Sequence, residues 1–485
     1  MAVATAAGEA RYEQLVDLET RAGPDHPTKR RPRPPHASAS PRAATSTPSA
    51  SGPTGTGSAG AEGRARAHPG PRRSRSTPIS RRSSSGGPYP PPVEFRRITS
   101  LPPYALGIID GLKRDARRAG ADVIDLAFGN PDLPSPDVAV DKLAEAARNP
   151  RNHRYSASRG IPKLREALAD LYLRNFGVDL DPETEVINTI GAKEGFSHLM
   201  WTLLQPGDAA LVPSPSYPIH IWGPLFAGAD VREMPLGSPL GGDDFFDVLV
   251  ERYEYSWPKP RVIVLSFPHN PTTTCVDLDF MQRVVDFARQ RDVIVVHDFA
   301  YADLGFDGYQ PPSILQAEGA KEVAVELYSM TKSFSMAGWR VAFLSGNPEV
   351  VAALGKLKSY LDYGNFQPIQ IAATVTMNEA SDYPQALREI YQSRRDALCD
   401  GLARIGWEVA RPAATMFVWA PIPEPYRELG SVEFASNLVR ESQVAVSPGI
   451  GFGPGGDGFV RFALIENEQR VAQAVRNLRR GLTKL

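Results

Sequence analysis

Cysteine is nearly absent: 485 residues contain two, Cys275 and Cys399, far apart and in no C-x-x-C arrangement. That excludes a disulfide framework and a thiolate zinc site, and fits a reducing compartment. Histidine is scarce as well, and neither His269 nor His297 has ligand spacing, so no metal is expected. Long apolar runs are missing: aliphatic stretches such as Val293-Ile294-Val295-Val296 fall far short of the roughly 20 residues a bilayer span needs. The first residues include Glu9, Glu13, Asp17 and Glu19 but no apolar core, which argues against a secretory leader. A soluble, cytoplasmic chain with no membrane partner is expected. An excess of one charge is also lacking, since the formal net charge is −1, and the chain as a whole is no polyanion binder.

That balance hides two different polymers. Residues 1–92 carry 14 Lys+Arg against 6 Asp+Glu, and the other 393 residues carry 40 against 49. From Arg21 to Gly87, Ile79 is the only large aliphatic or aromatic residue. Such a segment cannot bury enough apolar surface to offset the entropy of ordering, so 1–92 reads as a disordered Pro/Arg/Ser-rich extension. An inert tail, a basic arm for nucleic acid or membrane, and translated upstream sequence all compete for it. The tail is favoured, because arginines diluted by Pro and Gly present no defined shape. The Arg/Ser richness also suits a transit peptide, against which the acidic start argues.

Beyond residue 93, helix-like and strand-like stretches alternate. Ile161 to Leu173 is helical in period, with Pro162 where a first turn tolerates it. Arg261–Phe267, Val293–Val296, Val323–Leu327 and Trp339–Leu344 read as strands, the first two of them apolar on both faces. Leu278–Gln290 lies between two of them as a helix. The alternation predicts an α/β fold with a large, mostly parallel sheet flanked by helices. Past about residue 370, helices near Tyr383–Leu402 and Glu433–Glu441 flank short strands at Met416–Ala420 and Phe459–Ala463, a smaller α+β unit. No internal repeat is visible.

In open α/β sheets, ligands sit outside the carboxyl ends of the strands. There the chain carries Asn270 in Ser266-Phe267-Pro268-His269-Asn270-Pro271-Thr272, and Asp298 with Tyr301 in His297-Asp298-Phe299-Ala300-Tyr301. Lys332 follows a third strand in Tyr328-Ser329-Met330-Thr331-Lys332, with Arg340 eight positions on. A planar aldehyde bearing a phenolate oxygen, a ring nitrogen and a phosphate uses that whole set. The lysine forms a Schiff base with the aldehyde, the carboxylate favours a protonated ring, and the amide and phenol donate to the phenolate oxygen. Arginine, serine and a helix N-terminus hold the phosphate, and Thr189-Ile190-Gly191-Ala192-Lys193-Glu194 supplies such a terminus.

From Val93 to Leu485 the chain resembles the class I/II pyridoxal 5'-phosphate-dependent aminotransferases of fold type I, and within them the bacterial glutamate–pyruvate (alanine) aminotransferase group. The stretches that carry the resemblance include Leu101-Pro102-Pro103-Tyr104, Gly129-Asn130-Pro131-Asp132, Tyr155-Ser156-Ala157-Ser158-Arg159-Gly160 and Pro213-Ser214-Pro215-Ser216-Tyr217-Pro218-Ile219-His220. Lys358-Ser359-Tyr360-Leu361-Asp362-Tyr363-Gly364, Val444 to Gly453 and Val460 to Asn467 continue it in order. The resemblance implies a segment 93–150 packing on the small domain, a large cofactor-binding domain over 151–365 and a small C-terminal domain over 366–485. It implies Lys332 as the Schiff-base lysine and proton carrier, Asp298 at the ring nitrogen, Tyr301 and Asn270 at the phenolate oxygen, and Tyr217 on the ring face. Ser329, Arg340 and the amides of Ala192 and Lys193 are implied around the phosphate, with Tyr155 reaching the phosphate of a neighbouring subunit in a homodimer. Arg461 is implied at the substrate carboxylate, lined by the Gly129 backbone, while Tyr104, Tyr155 and the loop Tyr363-Gly364-Asn365-Phe366 select the side chain. The implied reaction is ping-pong transamination, L-alanine with 2-oxoglutarate.

Each residue also has a plainer reading. Lys332 taken alone is a surface lysine, Asp298 a helix cap, Tyr217 packing and Arg461 an edge-strand residue; Asp298 and Arg340 at family spacing reverse the first. Gly449-x-Gly451-x-Gly453 looks like a dinucleotide fingerprint, but Pro454-Gly455-Gly456 follows it in place of a helix, so a loop beside the substrate pocket is expected. His269 stands where a small residue is expected before the motif asparagine. Another amino donor, or a lyase or oxidase using the same cofactor, is an alternative within enzymes. A transcription regulator with an aminotransferase-like domain is the alternative outside them. It needs a folded helix-turn-helix that residues 21–87 cannot form, so no nucleic acid is expected.

Overall fold

Strands that are apolar on both sides need cover on both sides, and this requirement builds the larger part of the fold. The computed structural model describes residues 94–99, 101, 105–236 and 242–485; the expected extension 1–92 and Tyr104 lie outside them. A four-residue helix, Arg96–Thr99, belongs to one unit and residues 105–485 to another.

Within the latter, the described strands are β1 (Ile124–Leu126), β2 (Val186–Thr189), β3 (Ala209–Ser214), β4 (Asp230–Pro235), β5 (Val262–Leu265), β6 (Ile294–Asp298), β7 (Ala324–Ser329), β8 (Ala342–Gly346), β9 (Phe417–Pro421), β10 (Val444–Pro448) and β11 (Phe459–Ala463). Seven of them form a sheet in the order β2-β8-β7-β6-β5-β3-β4, parallel throughout except that β8 runs antiparallel to both neighbours. The helices used below are α1 (Ala105–Arg118), α2 (Asp137–Ala147), α3 (Pro162–Phe176), α4 (Ala192–Leu203), α5 (Pro218–Ala227), α6 (Leu278–Arg291), α7 (Pro348–Leu361), α8 (Gln367–Glu379), α9 (Tyr383–Arg404) and α10 (Glu468–Leu482).

Alternation along each strand divides the core between the two faces. Ile263, Leu265 and Val295 pack with Leu164 and Leu168 of α3 and Phe280, Met281 and Val284 of α6. Val262, Val264 and Val296 pack on the other side with Phe196 and Leu199 of α4 and Val351 and Leu354 of α7. The mostly parallel sheet covered by helices is as expected. So is the start of α3 at Pro162, and Gly177 ends that helix at φ 67°, a left-handed cap only glycine adopts without strain.

The second sheet, β1-β10-β11-β9, has β1 parallel to β10 and the other pairs antiparallel. Leu398 and Leu402 of α9 and Val471, Ala474 and Leu478 of α10 close its core. Packing cuts across the expected boundaries at 150 and 365, because Ala139 of α2 and Ala373 and Met377 of α8 belong to the core of the large sheet. The strand expected from Trp339 begins only at Ala342, since Arg340 sits at φ 57° and cannot continue a pleated strand. After β10, the triple-glycine stretch forms two short 3-10 turns, Gly449–Phe452 and Pro454–Gly456, and opens no helix. Among the described residues no helix is long and apolar enough to cross a membrane.

Candidate active site

Three parallel strands end side by side, and each delivers one polar side chain to the same cleft. Ser329 ends β7 and caps the four-residue turn Met330–Ser333, which carries Lys332. The Lys332 Nζ donates to the carbonyl oxygen of Gly129 at 2.6 Å. Burial, and then the charges of Arg461 and Arg340, push its pKa down to about 7. A large fraction of this amine is therefore unprotonated at neutral pH, as a base or nucleophile needs.

Asp298 ends β6. Its Oδ2 lies 2.8 Å from His220 Nε2, and His220 Nδ1 lies 3.0 Å from Ser216 Oγ. Its Oδ1 is buried and makes no hydrogen bond among the described residues. An unmatched buried carboxylate oxygen is costly, and a protonated ring nitrogen is the type of group that would satisfy it.

Asn270 follows β5 and sits between two expected partners. Its Nδ2 points to the Tyr301 hydroxyl at 3.5 Å, and its Oδ1 accepts from Arg461 Nη1 at 2.6 Å. Burial raises the Tyr301 phenol well above its ordinary range, so it stays a donor. Arg461, on β11, is sandwiched between the rings of Phe417 and Phe452, 3.9 and 4.5 Å from their centroids. Both rings fix the guanidinium plane at the cleft, a placement lysine could not reproduce. Gly129 has no room for a side chain, because a Cβ there would lie 2.6 Å from the Phe417 ring.

The anion-binding corner is made by β2, α4 and Arg340. Gly191 (φ 82°) turns the chain into α4, leaving the amides of Ala192 and Lys193 in the first turn without helical partners. A Cβ at Gly191 would lie 2.1 Å from Arg340 Nη2, so the guanidinium rests directly on this turn. Tyr217, half-buried at the start of α5, sets its ring edge-on to His220 and 5.9 Å from the Lys193 ammonium.

Eleven of the fourteen expected residues thus line one cleft: Gly129, Ala192, Lys193, Tyr217, Asn270, Asp298, Tyr301, Ser329, Lys332, Arg340 and Arg461. Two do not. Tyr155, expected at a neighbouring subunit's phosphate, is 85% exposed and lies against Tyr363, ring centroids 4.6 Å apart and planes tilted by 36°. Asn365, expected on the substrate side, is turned behind Arg340 and donates from Nδ2 to its carbonyl oxygen at 2.7 Å. Gly364 at φ 73°, held by Asp362 Oδ1 at 2.7 Å, redirects the chain there. The third, Tyr104, lies outside the described residues.

Sequence reasoning missed His220, Ser216, Phe417 and Phe452. Ser216 and His220 are four apart at a helix start, a spacing that puts them within reach of each other, yet nothing local points to Asp298. Phe452 does lie in the glycine-rich loop expected beside the pocket. His269 is absorbed without disturbance: buried, with Nδ1 2.8 Å from Thr272 Oγ1, its pKa is pushed down to about 3 by burial and then by His220.

Comparison with known proteins gives a consistent set of likenesses. Residues 121–478 match the family model described as aminotransferase class I and II. The chain is 50% identical over 389 residues to the glutamate-pyruvate aminotransferase AlaC of Escherichia coli, covering 80% of this chain and 94% of that one. It is 41% identical over 387 residues to the LL-diaminopimelate aminotransferase of Desulforudis audaxviator, covering 80% of this chain and 97% of that one. Among solved structures, substrate-bound BacF from Bacillus subtilis superposes with a TM-score of 0.72 at 34% identity, over 79% of this chain and 96% of that one. An aspartate aminotransferase single mutant from Thermus thermophilus superposes at 0.73 and 27% identity, over 80% and 100%.

Proposed function

The chain belongs to the class I and II aminotransferases, a pyridoxal phosphate-dependent family of fold type I, and from that premise we propose that it transfers the amino group of L-alanine to 2-oxoglutarate, reversibly, in two half-reactions. The observation that carries the choice of substrates is the 50% identity to the glutamate-pyruvate enzyme, against 41% to the LL-diaminopimelate enzymes.

The cleft residues suit the cofactor. Asp298, with one buried oxygen unmatched and the other held by His220, suits a protonated ring nitrogen. Tyr301 and Asn270 suit the phenolate oxygen, Tyr217 the ring face, and Ser329, Arg340 and the amides of Ala192 and Lys193 the phosphate. Bound there, pyridoxal phosphate supplies the sink for the electrons left when a substrate C–H bond breaks.

Everything else is the work of this chain's side chains. Arg461, its plane fixed by Phe417 and Phe452, grips the substrate α-carboxylate with two parallel N–H donors. Lys332, its pKa pushed down to about 7, would take the substrate's α-proton on Nζ and carry it past the amino nitrogen to the carbon beyond. The Gly129 carbonyl, which accepts from Nζ, keeps the amine on the substrate side. Phe128 and Leu106 wall the cleft against water. We include a homodimer in the reading, because Tyr155 and Tyr363, 85% and 59% exposed, are not among the residues lining their own cleft and suit a partner's. A cytoplasmic setting suits the two unpaired thiols.

Holoenzyme mixed with L-alanine alone should yield one equivalent of pyruvate per site and the amine form of the cofactor, reversed by 2-oxoglutarate. Continuous ammonia release would overturn transamination in favour of elimination or oxidation. A larger kcat/KM for LL-diaminopimelate than for L-alanine would overturn the donor.

A further inference from the structure

A buried charge cluster lies outside the cleft. The Lys358 side chain on α7 is wholly buried, and its Nζ donates at 2.9 Å to Glu194 Oε1 and at 2.9 Å to Asp362 Oδ2. Glu194 sits in the first turn of α4, where its Oε2 accepts the Ile190 amide at 2.7 Å and its Oε1 lies 2.6 Å from His198 Nδ1. The other oxygen of Asp362 accepts the Gly364 amide at 2.7 Å. One residue on, Asn365 donates to the Arg340 carbonyl oxygen at 2.7 Å.

Glu194, His198 and Asp362 come near enough to one another to hold a metal ion, but Lys358 already supplies the positive charge they share. Followed outward, the bonds run from one ammonium to both halves of the anion-binding corner. One branch ends at the turn Ile190–Gly191 that aims the Ala192 and Lys193 amides, and the other ends at Arg340. Those halves touch with no slack, as the 2.1 Å approach of a Gly191 Cβ to Arg340 shows.

For stability alone the cluster is a poor choice, since a buried ion pair rarely repays its desolvation and an apolar side chain would fill the space at lower cost. Its value is geometric. We propose that Lys358 is a positioning residue for the phosphate corner: by tying the N-terminus of α4 to the loop 362–365, it sets the spacing between the Ala192–Lys193 amides and the Arg340 guanidinium. The inference rests on the assignment of that corner to the cofactor phosphate.

The test compares Lys358→Met, the triple variant Glu194→Gln/Lys358→Met/Asp362→Asn, which removes all three charges, and Lys358→Arg. Cofactor-free proteins are titrated with pyridoxal phosphate, with pyridoxal lacking the phosphate, and with inorganic phosphate as competitor; melting is recorded separately. The triple variant leaves no unpaired buried charge, so it keeps the question answerable if Lys358→Met does not fold. Expected is a loss of roughly 10- to 100-fold in affinity for pyridoxal phosphate and a parallel loss for inorganic phosphate in the triple variant, with pyridoxal affinity unchanged. Lys358→Arg should recover part of the loss. Wild-type affinities in the triple variant would overturn the proposal, as would equal losses for pyridoxal and its phosphate ester. A wild-type protein unable to tell pyridoxal phosphate from pyridoxal would instead overturn the assignment of the corner.

Discussion

Replacing Lys332 by methionine should make the cofactor-free protein more stable, and more so in acid than in base. The native environment lowers this pKa from 10.5 to about 7, first through burial and then through Arg461 and Arg340. At about 1.4 kcal/mol per tenfold change in proton affinity, holding the charged form there costs at most roughly 4–5 kcal/mol. The side chain keeps some contact with solvent, and methionine forfeits the 2.6 Å bond to Gly129, which returns about 1 kcal/mol. A net gain of about 2–3 kcal/mol is expected at pH 6. Below pH 7 the amine is charged in both folded and unfolded states, so the wild-type fold bears the whole cost. Between pH 7 and 10.5 the unfolded chain binds more protons than the folded one, and wild-type stability rises with pH. The advantage of methionine therefore shrinks to nothing by about pH 10. Urea unfolding of both apoproteins at pH 6, 8 and 10 measures it. Equal stability at pH 6, or a gain independent of pH, would refute the claim that this amine is held against its charge. Loaded with cofactor, the same variant should lose at least about 1,000-fold in turnover.

Arg461→Lys should raise KM for alanine by roughly 10- to 100-fold with a smaller fall in kcat, because an ammonium neither forks around a carboxylate nor stacks between Phe417 and Phe452. Steady-state kinetics against both substrates checks it. Gly191→Ala should destabilise the apoprotein by about 1–3 kcal/mol, given φ 82° and the 2.1 Å clash with Arg340. It should also weaken pyridoxal phosphate binding by at least about tenfold, read by equilibrium dialysis. His220→Ala leaves Asp298 Oδ2 without the partner now at 2.8 Å, and kcat should drop by roughly 10- to 100-fold in stopped-flow half-reactions with alanine.

How far the fold could be read in advance depended on how each strand is covered. β5 and β6 are buried on both faces, so their sequences are unbroken apolar runs and their ends, with Asn270 and Asp298, could be placed at once. β4 is an edge strand with Asp230, Arg232 and Glu233 turned toward water, and no apolar pattern marks it. β2 is buried yet carries Asn188, whose Nδ2 donates to the Ala342 carbonyl on the adjacent β8, 2.9 Å away and 154 residues on, and at 3.3 Å to the Thr189 carbonyl beside it. The site divides in the same way. Side chains at or just past a strand end, such as Asp298 and Lys332, reach the cleft, whereas Asn365 depends on a left-handed Gly364 that turns it behind Arg340. The pairing of His220 with Asp298 spans 78 residues and has no local signature.

Two buried lysines show why residue type alone cannot assign a role. The neighbours that shift Lys332 are guanidinium groups, Arg461 and Arg340, and its acceptor among the described residues is the uncharged Gly129 carbonyl. Burial and both guanidinium groups favour release of the proton, which is what a base must do. Lys358, wholly buried, faces Glu194 and Asp362 at 2.9 Å each. Two carboxylates on different segments hold one ammonium in place, which is what a tie between two backbone segments requires. Arg340 is eight positions from Lys332, and Asp362 is one helical turn from Lys358, so half of each environment was within reach of sequence reasoning. Arg461 and Glu194 arrive from other elements, and no local pattern announces the meeting of either with its lysine.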